Sequence, residues 1–405
     1  MVFDIIRSMI VEKYGGTSVA DVDKIKAIAK HVADIKKRGH DIVVVASAMG
    51  KTTNALIQLA KEVGYANNDR EMDSLLSTGE QQTVTLLAMA IEALGVPAIS
   101  LTGYQAGFIT SNHHAHARIK DIDLTNLKQQ LDQGKVVVVA GFQGATENGE
   151  ITTLGRGGSD TTAVALAAKL GWNCYIYTDV DGVYTTDPRI YPQAKRLEEI
   201  TYNEMMQMAS LGSGVLETRC VEIASKYNIQ LYLGRALEND LSKGTFIMET
   251  KHLEDMPITG ISVKEDYAIM RVLNIENDGI YLGNLFQLIA DLNINIDTIS
   301  QQISKDNKIN FTFYCNEKQS DLILQNYKEE EFGYKIERIL GFVKLSVVGV
   351  GISTHSGIAS KTLNTLTKNG IKYYQITSSE ISISLTIEKK DKEKAVQVLA
   401  QAFDL

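Results

Sequence analysis

Three short runs in this sequence combine glycine with groups that grip anions. Lys13-Tyr-Gly-Gly-Thr-Ser18 places a lysine just before Gly15, Gly16 and Thr17. Glycine lets backbone amides come close to a ligand, and a helix beginning just beyond favours negative charge. A tight turn carrying a solvated lysine accounts for this run equally well, because short glycine-rich patterns are common. Thr153-Leu-Gly-Arg-Gly-Gly-Ser-Asp-Thr-Thr162 is harder to read as a turn alone. Gly155, Gly157 and Gly158 surround Arg156, and Ser159 and Asp160 open the next helical pattern. The run offers amides, a hydroxyl and a guanidinium able to take a carboxylate or phosphate in a bidentate grip. An acid near a helix start is routine, but it does not require Gly-Arg-Gly-Gly before it. The third run, Thr178-Asp-Val-Asp-Gly-Val-Tyr-Thr-Thr-Asp-Pro-Arg189, supplies Asp179, Tyr184 and Arg189, enough to hold a nucleotide. A turn-rich crossover stopped by Pro188 is its plainer reading.

The elements around these runs alternate between two periods. Ile10-Val-Glu-Lys13 reads as a strand, and Asp21 caps a helix with Val22, Ile25, Ile28, Val32 and Ile35 on one face. Asp41-Ile-Val-Val-Val-Ala46 and Val136-Val-Val-Val-Ala140 are apolar on both faces, which suits parallel strands covered by helices on each side. Met72–Leu94 and Ser159–Leu170 are helical, with Leu86, Leu87, Met89, Ala90 and Leu94 expected in the core, and Cys174–Tyr177 is a further strand. Glu147-Asn-Gly-Glu150 marks a hairpin. The pattern predicts an α/β sandwich with a mainly parallel sheet. Ser47 and Thr53 also follow a buried strand, so four loops gather at strand C-terminal ends, where open α/β sheets bind ligands. The sequence therefore predicts an anion site.

Composition bounds the function. The chain has 405 residues, 44% hydrophobic and 22% charged, with 41 Lys plus Arg against 49 Asp plus Glu and a net charge of −8. Two or three soluble domains follow, without the basic footprint of a general nucleic-acid binder. No apolar run approaches the roughly 18 residues of a membrane helix. Cys174, Cys220 and Cys315 are scattered, which argues against a disulfide scaffold and fits a reducing cytoplasm. His113-His-Ala-His116 has no accompanying acid or thiol cluster and reads as a loop; no metal ligand set is expected.

Beyond about residue 250 the texture changes. Tyr281–Ser300 and Ile358–Thr377 match as an internal repeat. Leu285, Phe286 and Ile289 in the first copy correspond to Thr362, Leu363 and Leu366 in the second, and each helix face leads into alternating strands. The repeat predicts two small ferredoxin-like units.

In combination these residues resemble the aspartokinase family, within the amino-acid kinase superfamily, and the repeat resembles its tandem ACT domains. The resemblance implies a three-layer αβα kinase domain over residues 1–250, with its core from about residue 9, and two ACT domains (βαββαβ) over 258–405. It implies transfer of the γ-phosphoryl of ATP, with Mg²⁺, to the β-carboxylate of L-aspartate in lysine, threonine and methionine synthesis. A carboxylate nucleophile is already ionised at neutral pH, so the catalytic task is charge neutralisation and in-line positioning. Lys13 would stabilise the transferring group and Asp160 would orient Lys13. The ATP set comprises Lys13, Gly15, Gly16, Thr17, Ser159, Thr178, Asp179, Tyr184 and Arg189. The aspartate set comprises Ser47, Thr53, Glu80, Arg156, Gly157, Gly158 and Ser159, with Glu80 receiving the α-ammonium. Asp297 and Gln301 match effector-contacting positions, implying control by lysine, threonine or both, and assembly into a homo-oligomer through the ACT domains.

The pattern also departs from the family. Gly212-Ser-Gly-Val-Leu-Glu-Thr-Arg219 stands where Gly-Ala-Lys-Val-Leu-His-Pro-Arg is usual, so Gly214 replaces a phosphate-contacting lysine. Arg219 and Lys226 are candidates to compensate. Leu231-Tyr-Leu-Gly-Arg235 replaces Val-Arg-Ser-Ser, Asn277-Asp-Gly-Ile280 replaces a Pro-Gly turn, and Lys372-Tyr373 replaces Asn-Ile. An active enzyme is expected from Lys13, Arg156 and Asp160; a weakly active amino-acid sensor is the rival reading. Met256 could begin a separate regulatory subunit.

Overall fold

The computed structural model describes residues 9–64, 68–238, 240–249, 257–277, 279–304 and 306–405. The expectation for Met256 and the expected domain boundary lie outside these residues. The N-terminal part contains strands β1 (Met9–Tyr14), β2 (Asp41–Ala46), β3 (Ala98–Leu101), β4 (Phe108–Thr110), β5 (Ile119–Ile122) and β6 (Val136–Ala140). It continues with β7 (Gln143–Ala145), β8 (Ile151–Thr153), β9 (Asn173–Thr178), β10 (Glu199–Ile200), β11 (Leu231–Arg235) and β12 (Thr245–Ile247). Eight of these form one sheet in the order β10-β12-β11-β9-β1-β2-β6-β3, parallel except for the β11–β12 pair.

The apolar runs explain why this sheet is central. Val43–Val45 and Val136–Val139 are fully buried, so alternate residues must face two different layers. Tyr14, Val44 and Val138 pack with Ile25, Ile28, Val32, Val84 and Leu87 from helices Val22–Lys37 and Asp69–Glu92. Asp21 caps the first of these helices, its carboxylate accepting from Lys24 N at 2.9 Å. Val22 is 57% exposed, off the predicted face, because it opens the helix and turns away from the Ile25–Ile28 stripe. On the second helix Leu87 is buried and Ala90 is partly buried against the core, but Leu86 and Met89 are exposed, as is Leu94 just past the helix end. The stripe that reaches the sheet runs Leu76, Glu80, Thr83, Val84, Leu87 and Ile91, and helical spacing puts Leu86 and Met89 outside it. A smaller sheet, β5-β4-β7-β8, contains the expected hairpin: β7 and β8 pair Gln143 with Thr153, and Gly149 turns at φ +82°.

Among the described residues, the second unit gathers 257–405 with Thr186–Ala194 and Leu211–Ser213, and the rest form the first. It holds β13 (Gly260–Lys264), β14 (Ala268–Glu276), β15 (Ile299–Ile303), β16 (Lys308–Cys315), β17 (Ile336–Ile339), β18 (Phe342–Val348), β19 (Tyr373–Ser378) and β20 (Ser382–Glu388). Two antiparallel four-stranded sheets result, β15-β16-β14-β17 and β13-β18-β20-β19. These are the two ACT-like units expected from the repeat, each with its own apolar core. They are nested rather than consecutive. β13 precedes the first unit in sequence yet supplies the fourth strand of the second sheet, pairing Gly260 with Val348.

Candidate active site

Parallel pairing brings the C-terminal ends of β1, β2, β6 and β9 to one edge of the large sheet. Backbone bonds stitch the loops leaving that edge. Gly15 N donates to Tyr177 O at 3.1 Å, Ser47 N to Tyr14 O at 3.1 Å, Gly50 N to Gly16 O at 3.0 Å and Gly141 N to Ala46 O at 3.0 Å. Gly16 is required by this closeness: a Cβ there would lie 2.8 Å from Ala48 O.

Lys13 sits at the end of β1, 7% exposed, with Nζ 2.6 Å from Asp160 Oδ1. The contact is a charge pairing rather than an aligned hydrogen bond, since Asp160 Oδ1 has no hydrogen-bond partner. Asp160 lies in the first turn of helix Gly158–Leu170, whose N-cap is Gly157, without a side chain to satisfy the first amides. Gly158 N donates to Gly155 O at 3.0 Å, and the amides after it, with the Ser159 hydroxyl beside them, form an anion-receptive helix start. Arg156 is exposed and has no ion pair or hydrogen bond among the described residues. Its guanidinium is available to a ligand.

Glu80 is the electrostatic anomaly. It is 3% exposed, Oε1 accepts from Ala48 N at 3.1 Å, and Oε2 has no partner. Burial pushes its pKa up from 4.5 to about 7, against the pull of the Ala48 and Glu80 amides. An orphaned buried carboxylate oxygen is a receptor for a cation or a donor. Ser47, next to Ala48 in the loop, and Thr53, in the first turn of helix Thr52–Glu62, are half-buried. Across the edge, Thr178 Oγ1 lies 2.8 Å from Asp179 Oδ1, and Tyr184 Oη donates to Asp181 Oδ1 at 3.2 Å. Arg189 belongs to the second unit, where its guanidinium is paired with Asp187 at 2.7 Å. The two compensating cations are engaged elsewhere as well. Arg219 donates to the carbonyls of Ala117 and Leu154, and Lys226 lies at the far end of helix Thr218–Tyr227 over the Tyr227 ring.

The sequence reading missed Asp73. It is 1% exposed and accepts from Ala115 N at 3.1 and 3.0 Å, Thr153 N at 2.9 Å and Thr153 Oγ1 at 2.5 Å, with His114 Nδ1 at 3.1 Å. It thus fastens the 113–117 loop and the strand leading into Gly155–Ser159 to the helix that carries Glu80. The available signal was its place on the same buried stripe as Glu80. In the second unit, Asp297 is paired with Lys264 at 3.0 Å and Lys344 at 2.9 Å, and burial is outweighed by these ammonium groups, which hold its pKa low. Gln301 is exposed on β15.

Comparison with known proteins agrees with this architecture. Residues 8–235 match the amino acid kinase family and residues 345–403 match an ACT domain. An aspartate kinase from Pseudomonas putida is 44% identical over 98% of this chain and 98% of its own length. Aspartokinase 2 of Bacillus subtilis is 43% identical with the same coverage. Among solved structures, aspartate kinase from Synechocystis is 38% identical, with a TM-score of 0.54 over 98% of this chain and 69% of that one. E. coli aspartokinase III, solved with aspartate and ADP, shares the fold with a TM-score of 0.84 at 23% identity, over 98% of this chain and all of that one. Identity at this level over nearly the whole length places the chain in the aspartokinase family, an amino acid kinase followed by ACT domains.

Proposed function

We propose that this aspartate kinase uses ATP with Mg²⁺ to phosphorylate the β-carboxylate of L-aspartate, in the pathway to lysine, threonine and methionine, and that the strand-edge site performs the step. The observation that carries the reading is the buried Lys13–Asp160 pair beside an unpartnered Arg156 and the orphaned oxygen of Glu80. Two anions must meet in this reaction, and the site supplies one buried cation, one exposed cation and a free helix start. Lys13 stabilises the charge on the transferring phosphoryl group while Asp160 fixes its position. Arg156 grips a substrate carboxylate, with Gly157, Gly158, Ser159, Ser47 and Thr53 around it. Glu80 takes the α-ammonium, which restores a charge partner to a carboxylate that burial has made hard to ionise.

Gly15, Gly16, Thr17 and Ser159 line the phosphates, and Thr178, Asp179 and Tyr184 the nucleoside side. Arg189 would have to leave Asp187 to join them. Among the described residues no group of three or more His, Cys, Asp or Glu gathers to hold a metal, and Asp160 is committed to Lys13. Magnesium would be held there with few protein ligands. When bound there, it neutralises phosphate charge. An amino-acid effector, lysine or threonine, acts through the second unit around Asp297 and Gln301; an ammonium reaching Asp297 must displace Lys264 or Lys344.

The test is the reaction itself in the presence of hydroxylamine, which traps an acyl phosphate as hydroxamate. Aspartate-dependent, ATP-dependent hydroxamate supports the reading; a folded, ATP-binding protein that forms none contradicts it and favours the sensor.

A further inference from the structure

Glu217 is one of the positions at which this chain departs from the usual family run. It takes the N-cap position of helix Thr218–Tyr227 in extended backbone, at φ −78° and ψ 134°, yet its side chain makes no capping hydrogen bond. A short acid such as Asp at that position turns back onto the free amides of its own helix; the longer Glu217 side chain is free to reach elsewhere. Here the side chain lies across Gly157 in the substrate loop. A Cβ added to Gly157 would come 1.8 Å from Glu217 Cγ and 3.1 Å from Cδ.

The neighbouring residues hold it there. Arg219 donates to Leu154 O at 3.4 Å and Ala117 O at 3.1 Å, fastening this turn of the helix to the same loop. Cys220 Sγ lies 3.0 Å from Glu217 O. The carboxylate is half-buried and within electrostatic reach of two site residues. Burial and the Asp160 carboxylate push its pKa up, and Arg156 pulls it down. It forms no ion pair with Arg156, so the guanidinium stays open to a ligand while its field is partly cancelled.

We propose that Glu217 is a specificity-setting positioning residue that lowers the site's affinity for doubly charged dicarboxylates relative to L-aspartate. The inference rests on Arg156 being the substrate-carboxylate anchor. Its logic is electrostatic. A fixed negative charge beside the anchor repels a ligand in proportion to the ligand's net charge. Aspartate carries a net single negative charge and recovers binding through its ammonium at Glu80. Succinate and malate carry two negative charges and no ammonium.

The experiment compares the full-length wild type with Glu217→Gln, measuring KM and kcat for aspartate and competitive Ki values for succinate and malate. The expected result is that KM for aspartate falls about threefold and the succinate and malate Ki values fall about tenfold, with kcat moving less than KM. Glu217→Asp, which keeps the charge, should retain the wild-type ratio of aspartate to succinate affinity. Glu217→Met provides the uncharged comparison should the Gln variant fail to fold. Unchanged constants in a folded uncharged variant would overturn the proposal and leave Glu217 a packing residue. Weaker aspartate binding with unchanged succinate binding would also overturn it, by assigning Glu217 to the ammonium. Failure of the wild type to phosphorylate aspartate at all would be a separate result, against the activity and not against this residue.

Discussion

In the proposed reaction Lys13 serves two anions, Asp160 in the resting site and the transferring phosphoryl group. Because it is buried and paired at 2.6 Å, removing either partner leaves an uncompensated charge. Lys13→Met should lower kcat about 10²- to 10³-fold with a smaller change in KM for aspartate, read in a steady-state assay. Glu80 makes a prediction in pH. Its folded pKa of about 7 lies above the ordinary 4.5, so between these values the folded chain holds a proton that the unfolded chain has released. Stability contributed at this position is therefore lost as pH rises through that window, by up to about 3 kcal/mol. Glu80→Gln should raise Tm at pH 8 and leave it nearly unchanged at pH 4. Binding an ammonium favours the ionised form, so KM for aspartate should fall as pH rises through about 7 in wild type but not in Glu80→Gln. Lys13 and Arg156 were legible in the sequence because glycine surrounds them. Glu80 was named only through the family resemblance; its orphaned oxygen emerges from packing against Ala48, which no local pattern encodes.

At the scale of elements, the 155–159 loop is held from two sides. Asp73 ties its entry strand to helix Asp69–Glu92, and Glu217 with Arg219 presses helix Thr218–Tyr227 against its glycines. Asp73→Asn replaces one of two oxygens that accept from Ala115 and Thr153 with a donating amide nitrogen and should destabilise the fold by about 2 to 4 kcal/mol in urea unfolding. Gly157→Ala meets both a left-handed φ of +63° and the Glu217 side chain. Its activity should drop sharply and recover in part in the double variant Gly157→Ala, Glu217→Gly, which removes the colliding Cβ and Cγ (2.6 and 1.8 Å away) but not the backbone strain. Equal activity in the single and double variants would show that Glu217 does not set the loop's position. The strands and helices themselves were readable, since buried valine runs and 3.6-residue stripes report local burial. Asp73 was not, because an acid in a helix reads as solvated until its partner Thr153, 80 residues on, is placed beside it.

For the whole molecule, the second unit presents two edge strands with exposed apolar side chains. Ile299 and Ile303 on β15 are 53% and 61% exposed, and Tyr374 and Ile376 on β19 are 54% and 44% exposed. Unpaired edges of this kind template association with another chain. Light scattering at micromolar concentration should give at least twice the chain mass, and Ile303→Lys with Ile376→Lys should shift it toward monomer. The repeat revealed two ACT-like units, but not that β13 would complete the second one from upstream. Alternation along a strand specifies which face is buried and leaves the pairing partner open. The central claim, that the strand-edge site phosphorylates aspartate, is tested most directly by the hydroxylamine trap with purified protein, MgATP and L-aspartate. The account predicts hydroxamate with aspartate, little with glutamate, and near loss in Lys13→Met. Undiminished hydroxamate from folded Lys13→Met, or none from wild type that binds ATP, would contradict it.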